Sequence, residues 1–247
     1  MLVDVHCHLD FPQFDGDRDE VVGRANDILI VNSTVDPDSV RKGLDLADKY
    51  PNVRCMLGVS ASELDGEKFQ RMMELITENR KLIVGVGEAG LDYHWVKDEP
   101  GKAIEREHFI RVADLSLELG LPLLVHSRDA EADCINILRE RKVRAIMHCF
   151  SGNLMEAFEA VESGCLISIP ANVTHSRGRQ ELAKSLPIES LVLETDAPYL
   201  PPVRGGRSEP SDVRRGCEKI AELRGESFDA VASATTENAL KFLKIRT

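Results

Sequence analysis

Eight short apolar runs recur along the chain, and this repetition limits the folds that the chain can adopt. Runs of this length that are rich in β-branched residues are typical of buried strands, and the stretches between them have the three-to-four spacing of amphipathic helices. Strands that alternate with helices pair in parallel, because each helix returns the chain to the start of the next strand. The predicted strands cover residues 2–5, 27–31, 53–59, 82–87, 122–126, 144–148, 164–169 and 190–195.

The length of the chain favours closure of these strands into a barrel. The sequence has 247 residues, close to the roughly 250 that a complete (β/α)₈ barrel needs. Residues after about 211 are predicted to form two terminal helices, and no repeat or low-complexity segment indicates a linker. We therefore predict an α/β fold, a (β/α)₈ TIM barrel, with residues 1–247 as one domain.

Composition and charge exclude some classes of function. The formal net charge of −11 argues against a protein that coats nucleic acid with a basic face, but bound cations could still attract an anionic substrate locally. No apolar run approaches the ~20 residues of a membrane-spanning helix. The six cysteines form no CxxC pair, and the N-terminus lacks a secretory signal pattern. We expect a cytoplasmic protein with reduced thiols, no membrane association and no obligate protein partner.

Potential metal ligands follow five of the predicted strands. Barrel enzymes place their active sites at the C-terminal ends of the strands, so these side chains are expected to converge there. Taken singly, each is more often an ordinary polar residue, but the joint pattern predicts a metal site. The candidates, after strands one, four, five, six and eight, are His6, His8, Glu88, His126, His148 and Asp196.

This set of ligands predicts hydrolytic chemistry. Four imidazoles and two carboxylates suit divalent ions, with Zn²⁺, Mn²⁺ and Mg²⁺ as the candidates, and a carboxylate such as Glu88 can bridge two of them. A metal-activated water would then be the nucleophile, with Asp196 as ligand and general base. We therefore predict two divalent metal ions as cofactors and Asp196 and Glu88 as catalytic residues.

A long loop rich in proline and glycine follows the last predicted strand and is a candidate rim of the active site. Arginine side chains match the oxygens of phosphate groups because the guanidinium group presents several donors in one plane. Arg204 and Arg207 lie in this loop, and Arg128 directly follows a candidate ligand strand. These three arginines are the predicted substrate contacts.

Six segments of the chain resemble the TatD-type metal-dependent hydrolases, a family within the amidohydrolase-like superfamily that is associated with deoxyribonuclease activity. The resemblance runs essentially from end to end. It implies that His6, His8 and Asp196 bind one ion, that His126 and His148 bind the other, and that Glu88 bridges the two. The segments are residues 4–10 (Asp-Val-His-Cys-His-Leu-Asp), 87–93 (Gly-Glu-Ala-Gly-Leu-Asp-Tyr), 122–128 (Pro-Leu-Leu-Val-His-Ser-Arg), 148–152 (His-Cys-Phe-Ser-Gly), 194–199 (Glu-Thr-Asp-Ala-Pro-Tyr) and 236–239 (Thr-Glu-Asn-Ala).

Two other segments depart from the family pattern. Residues 58–62 read Gly-Val-Ser-Ala-Ser where the family commonly has Gly-x-His-Pro-His, and residues 207–210 read Arg-Ser-Glu-Pro where it often has Arg-Asn-x-Pro. Neither departure touches the six candidate ligands. The sequence therefore still predicts a hydrolase, but it does not determine which substrate the enzyme hydrolyses.

Three functions are compatible with these residues. The resemblance favours a phosphodiesterase that acts on DNA or another phosphodiester, of the 3′ to 5′ exonuclease type. A second possibility is an amide or ester hydrolase, such as a D-aminoacyl-tRNA deacylase; many such barrels carry a carboxylated lysine after strand four, where this chain has Glu88. The third is a non-catalytic metal-binding or interaction barrel, against which the presence of all six candidate ligands counts.

Overall fold

The strands form a parallel barrel in the order of the sequence, which confirms the predicted fold class. The computed structural model describes residues 1–246. Each of the eight predicted strands is found within a few residues of its expected position, and each is hydrogen-bonded to the next. They are β1 (Leu2–Cys7), β2 (Ile28–Thr34), β3 (Val53–Leu57), β4 (Gly85–Asp92), β5 (Leu123–Arg128), β6 (Ala145–Met147), β7 (Leu166–Pro170) and β8 (Leu191–Glu194).

Helices connect successive strands, and two more follow the last strand, as predicted. Local sequence explains several of their ends: Asp65 caps the first turn of α3, and Gly120 ends α4 in the left-handed conformation that glycine adopts at low cost. None of the described helices is long and apolar enough to cross a membrane. The helices are α1 (Arg18–Arg24), α2 (Val40–Lys49), α3 (Gly66–Glu78), α4 (Glu99–Leu119), α5 (Glu131–Arg141), α6 (Leu154–Glu162), α7 (Arg177–Ser185), α8 (Val213–Arg224) and α9 (Phe228–Leu243).

Strand β4 is longer than predicted, and this changes the position of Glu88. The expected strand ended at residue 87, but β4 continues to Asp92 and stays paired with β5. Its glycines do not end the strand. At Gly90, with φ of 155°, an added Cβ atom would collide with the carbonyl oxygen of His126, so only glycine allows this close approach. Glu88 therefore lies within a strand instead of at its end.

The barrel closes between β8 and β1 through main-chain and side-chain hydrogen bonds. The N–H of Asp196 donates to the carbonyl of His6 over 3.0 Å. Next to this contact, the fully buried carboxyl of Asp4 accepts hydrogen bonds from the Thr195 N–H (2.9 Å) and the His6 N–H (3.3 Å), and its Oδ2 lies 2.6 Å from the Thr195 hydroxyl. Burial raises the pKa of Asp4 well above its usual value, which favours the neutral carboxylic acid.

Replacing Asp4 tests this closure. Asp4→Ala leaves two buried N–H groups and a hydroxyl without their partner, so we expect it to lower the free energy of unfolding by roughly 3 kcal/mol or more. Asp4→Asn keeps an acceptor for the N–H groups and a donor for the hydroxyl, and should cost less than about 1 kcal/mol. Urea unfolding of both variants measures the difference. Equal losses for alanine and asparagine would contradict the hydrogen-bonding role of Asp4.

Candidate metal centre

All six predicted ligand residues meet in one cluster at the C-terminal end of the barrel. The strands explain this: His6, Glu88 and His126 lie in β1, β4 and β5, whereas His8, His148 and Asp196 follow the ends of β1, β6 and β8. Their nitrogen and oxygen atoms form three overlapping groups, within each of which the atoms lie no more than 4.8 Å apart. The groups are His6, His8 and Glu88; Glu88, His126 and His148; and His6, His148 and Asp196.

Glu88 lies at the centre of the cluster and contacts all four imidazoles. Its Oε2 is 3.5 Å from Nε2 of both His6 and His8. Its Oε1 is 2.7 Å from Nδ1 of His126 and 3.2 Å from Nε2 of His148. The two carboxylate oxygens thus face different pairs of histidines, which is the arrangement that a carboxylate bridging two ions requires.

The donor atoms around His6 have the spacing expected around an ion. Nε2 of His6 is 3.4 Å from Oδ1 of Asp196, and Nε2 of His8 is 3.7 Å from the same oxygen. Ligands at about 2.1 Å in a tetrahedral site lie about 3.4 Å from one another. Nε2 of His6 is also buried and has no hydrogen-bond partner among the described residues. A buried polar atom of this kind needs a partner, so these residues fit a divalent cation.

The outward-facing nitrogen of each imidazole faces a polar group. Nε2 of His126 is 2.9 Å from Asp92 Oδ2, and Nδ1 of His148 is 3.4 Å from Glu194 Oε2. The other two partners come from Ser33: its hydroxyl is 3.0 Å from Nδ1 of His6, and its carbonyl is 2.9 Å from Nδ1 of His8. Such partners orient imidazoles toward a metal ion and increase their basicity.

The charges in the cluster favour ionised carboxylates. Burial by itself raises the pKa of Glu88, but the charge of His148 and the hydrogen bonds with His126 and His148 lower it well below its usual value. Burial likewise opposes the ionisation of Asp196, yet the nearby imidazoles of His6, His148 and His8 lower its pKa. Burial lowers the pKa of His126, but contacts with Asp92 and Glu88 raise it to about 9. The two carboxylates are therefore negatively charged and suited to bind a cation.

The sequence did not identify the residues that orient the ligands. Asp92 and Glu194 had a detectable signal, because each is an acidic residue next to apolar strand residues, and buried carboxylates are rare without a partner. Ser33 had no detectable signal in the sequence, because a serine near a strand end is common and one of its two contacts is made by its main-chain carbonyl.

The three predicted substrate contacts have different environments. Arg128 and Arg204 are exposed. Arg207 is engaged elsewhere: its guanidinium donates to both oxygens of Asp17 over 2.6 and 2.9 Å, and to Glu209 over 2.9 Å. It thus ties the loop after β8 to the start of α1, outside the cluster.

A buried glutamate behind Asp92 gives the protein a pH-dependent stability. Glu105 of α4 is 1% exposed, and its Oε1 accepts a hydrogen bond from the Asp92 N–H over 3.4 Å. Burial raises its pKa to about 7. The folded protein therefore keeps this proton more tightly than the unfolded chain, and the associated stability is lost as the pH rises from about 4.5 through about 7.

We expect Glu105→Gln to remove this pH dependence. At pH 8 the free energy of unfolding should increase by about 1–3 kcal/mol relative to the unsubstituted protein, because no buried charge remains. At pH 5 the two proteins should differ by less than about 1 kcal/mol. Chemical unfolding at both pH values checks this. A variant that is less stable at pH 8 would show that the ionised Glu105 is favourable instead.

Comparison with known proteins agrees with this geometry. Residues 3–244 match the family model described as TatD related DNase. The chain is 35% identical over 258 residues to the metal-dependent hydrolase YabD of Bacillus subtilis, covering 99% of this chain and 100% of the relative. It is 36% identical over 262 residues to the human deoxyribonuclease TATDN3, covering 99% and 96%.

The fold of a solved relative is also similar. The crystal structure of YJJV, a TatD homologue from Escherichia coli, superposes with a TM-score of 0.90 at 27% identity and covers 99% of this chain and 98% of the relative. Sequence and fold both agree over almost the whole length of the chain. The chain therefore belongs to the TatD-related DNase family.

Proposed function

We propose that this chain is a metal-dependent phosphodiesterase that hydrolyses DNA from its ends, of the 3′ to 5′ exonuclease type. The observation that carries the proposal is the cluster of six donor residues, in which Glu88 is central, together with the unpartnered Nε2 of His6 between two carboxylates. The names of the family and of the human relative support DNA as the substrate.

In this proposal two divalent ions occupy the cluster. His6, His8 and Asp196 would hold one ion, His126 and His148 the other, and Glu88 both. When bound, such ions make water a stronger nucleophile and neutralise charge on phosphate oxygens. The candidate ions are Zn²⁺, Mn²⁺ and Mg²⁺.

The side chains of the protein orient the reactants and move the proton. Asp196 is ionised because neighbouring imidazoles lower its pKa, so its carboxylate can accept the proton of the attacking water. Asp92 keeps the ring of His126 in place, and the carboxylate of Glu194 lies 3.4 Å from Nδ1 of His148. Arg128 and Arg204, both exposed, are the proposed contacts to the phosphates next to the cleaved bond.

The test uses metal-reconstituted protein with single-stranded DNA, double-stranded DNA and bis-p-nitrophenyl phosphate. DNA labelled at its 5′ end or its 3′ end reports the direction of degradation. We expect hydrolysis that a chelator abolishes, with mononucleotides released first from the 3′ end. If protein that retains its ions cleaves no phosphodiester, the proposal is wrong. Hydrolysis of an aminoacyl ester in a parallel assay would then assign the site to carbonyl substrates.

A further inference from the structure

The only tryptophan of the sequence, Trp95, is exposed at the mouth of the candidate metal centre. Its relative exposure of 68% is high for a large aromatic residue, which normally gains stability from burial. The next residue, Val96, is buried and anchors the turn after β4. The ring is therefore held outward by an ordered segment.

Trp95 is connected to the metal cluster through one carboxylate. Oδ1 of Asp92 accepts a hydrogen bond from the main-chain N–H of Trp95 over 3.1 Å, and Oδ2 of the same group lies 2.9 Å from Nε2 of His126. The main chain of Trp95 is thus held one side chain away from a candidate ligand. A group bound on this ring would lie beside the reacting centre.

Arg128 accompanies the exposed ring. Its guanidinium carbon lies 5.8 Å from the centre of the Trp95 ring, a cation–π distance. Within residues 1–246, Arg128 forms no salt bridge with a carboxylate, so its positive charge is available to a ligand. An aromatic face next to an unpaired cation matches a nucleotide, which combines a flat base with a negatively charged phosphate.

A second exposed aromatic lies on the opposite side of the mouth. Tyr199 is 49% exposed, and its N–H donates to the carbonyl of Asp196 over 2.8 Å. Its ring contacts Phe11 edge-on at 6.3 Å, and Phe11 stacks on His8 at 4.3 Å. Tyr199 follows β8 whereas Trp95 follows β4, so three strands of the barrel separate them on either side. The metal cluster lies between the two rings.

We infer that Trp95 with Arg128 on one side, and Tyr199 on the other, stack on unpaired bases that flank the phosphodiester bond at the metal centre. Bases inside a duplex already stack on one another, so these rings select single-stranded or frayed ends. Stacking tolerates any base because every base has a flat face. This inference rests on the proposed function and specifies its substrate.

Intrinsic fluorescence tests the inference without catalysis, because Trp95 is the only tryptophan. The probes are a short thymidine oligonucleotide with phosphorothioate linkages, which resist hydrolysis, and an abasic oligomer with the same backbone. Both are added to metal-loaded protein. We expect saturable quenching by the thymidine oligomer and little by the abasic one. Equal quenching by both, or by neither, would overturn the inference.

Kinetics on single-stranded DNA provide the second readout. Trp95→Ala and Tyr199→Ala should each raise KM by roughly 5-fold or more, as expected for the loss of one stacked base, whereas Trp95→Phe should change KM less than about 3-fold. The control is Phe158→Ala, which removes an exposed aromatic from the outer face of α6 and should leave KM unchanged.

The outcomes separate this inference from the proposed function. If the unsubstituted protein degrades single-stranded DNA but Trp95→Ala has an unchanged KM, the stacking role is wrong and the phosphodiesterase proposal stands. If base-dependent quenching occurs although no phosphodiester is cleaved, the proposed reaction is wrong and the base-binding surface stands.

Discussion

Substitution of Asp196 by asparagine is expected to lower kcat for phosphodiester hydrolysis by roughly 10³-fold, the size of effect that loss of a general base produces. Asparagine preserves the shape of the side chain, but its amide cannot accept the proton of the attacking water. The backbone should tolerate the change, because Asp196 has a φ of 55° and asparagine adopts this left-handed conformation about as readily as aspartate. Steady-state kinetics with metal-loaded protein measure the effect.

A matched control exists at the same end of the barrel. Asp129 follows β5, also has a positive φ of 56°, and has a side chain that is 60% exposed outside the cluster. Asp129→Asn therefore repeats the chemical change in the same backbone conformation and should leave kcat unchanged within about 2-fold. Should Asp196→Asn retain full activity, the proton acceptor must be a different group.

Substitution of Glu88 by glutamine is expected to have an even broader effect, because Glu88 belongs to two of the three donor groups. Glutamine cannot supply the negative charge that holds two cations close together. We expect metal content to fall from two ions to below about one ion per chain, with loss of hydrolysis. Metal analysis after dialysis, together with circular dichroism, separates loss of ions from loss of fold.

Glu131→Gln is the corresponding control. Glu131 is also buried, lies in the first turn of α5, and accepts a hydrogen bond from the Ser151 hydroxyl over 2.6 Å. Glutamine keeps an acceptor for that hydroxyl, so metal content should not change. A Glu88→Gln protein that still binds two ions would exclude the bridging role.

The order of strands and helices could be predicted from the sequence because hydrophobic patterning encodes it directly. All eight strands and the two terminal helices lie close to their expected positions. The exception is β4, which was expected to end at residue 87 and instead continues to Asp92. Its glycines at positions 87 and 90 allow the strand to approach β5 closely, which depends on the neighbouring strand and cannot be seen in a local pattern.

The convergence of the six candidate ligands could be predicted because the fold brings the ends of parallel strands together. The groups that contact the ligand side chains were harder to predict. A contact such as that between the Ser33 carbonyl and His8 depends on side-chain direction and strand register. Arg207 illustrates the same limit: its sequence position matched a substrate contact, but its guanidinium binds Asp17 and Glu209.

Titration of chelator-treated protein with Mn²⁺ or Zn²⁺, while bound metal and hydrolysis of 3′-ended single-stranded DNA are measured together, tests the central proposal most directly. We predict that activity rises with bound metal and reaches its plateau at two ions per chain. Hydrolysis that persists without metal, or no hydrolysis at full occupancy of the site, would contradict it.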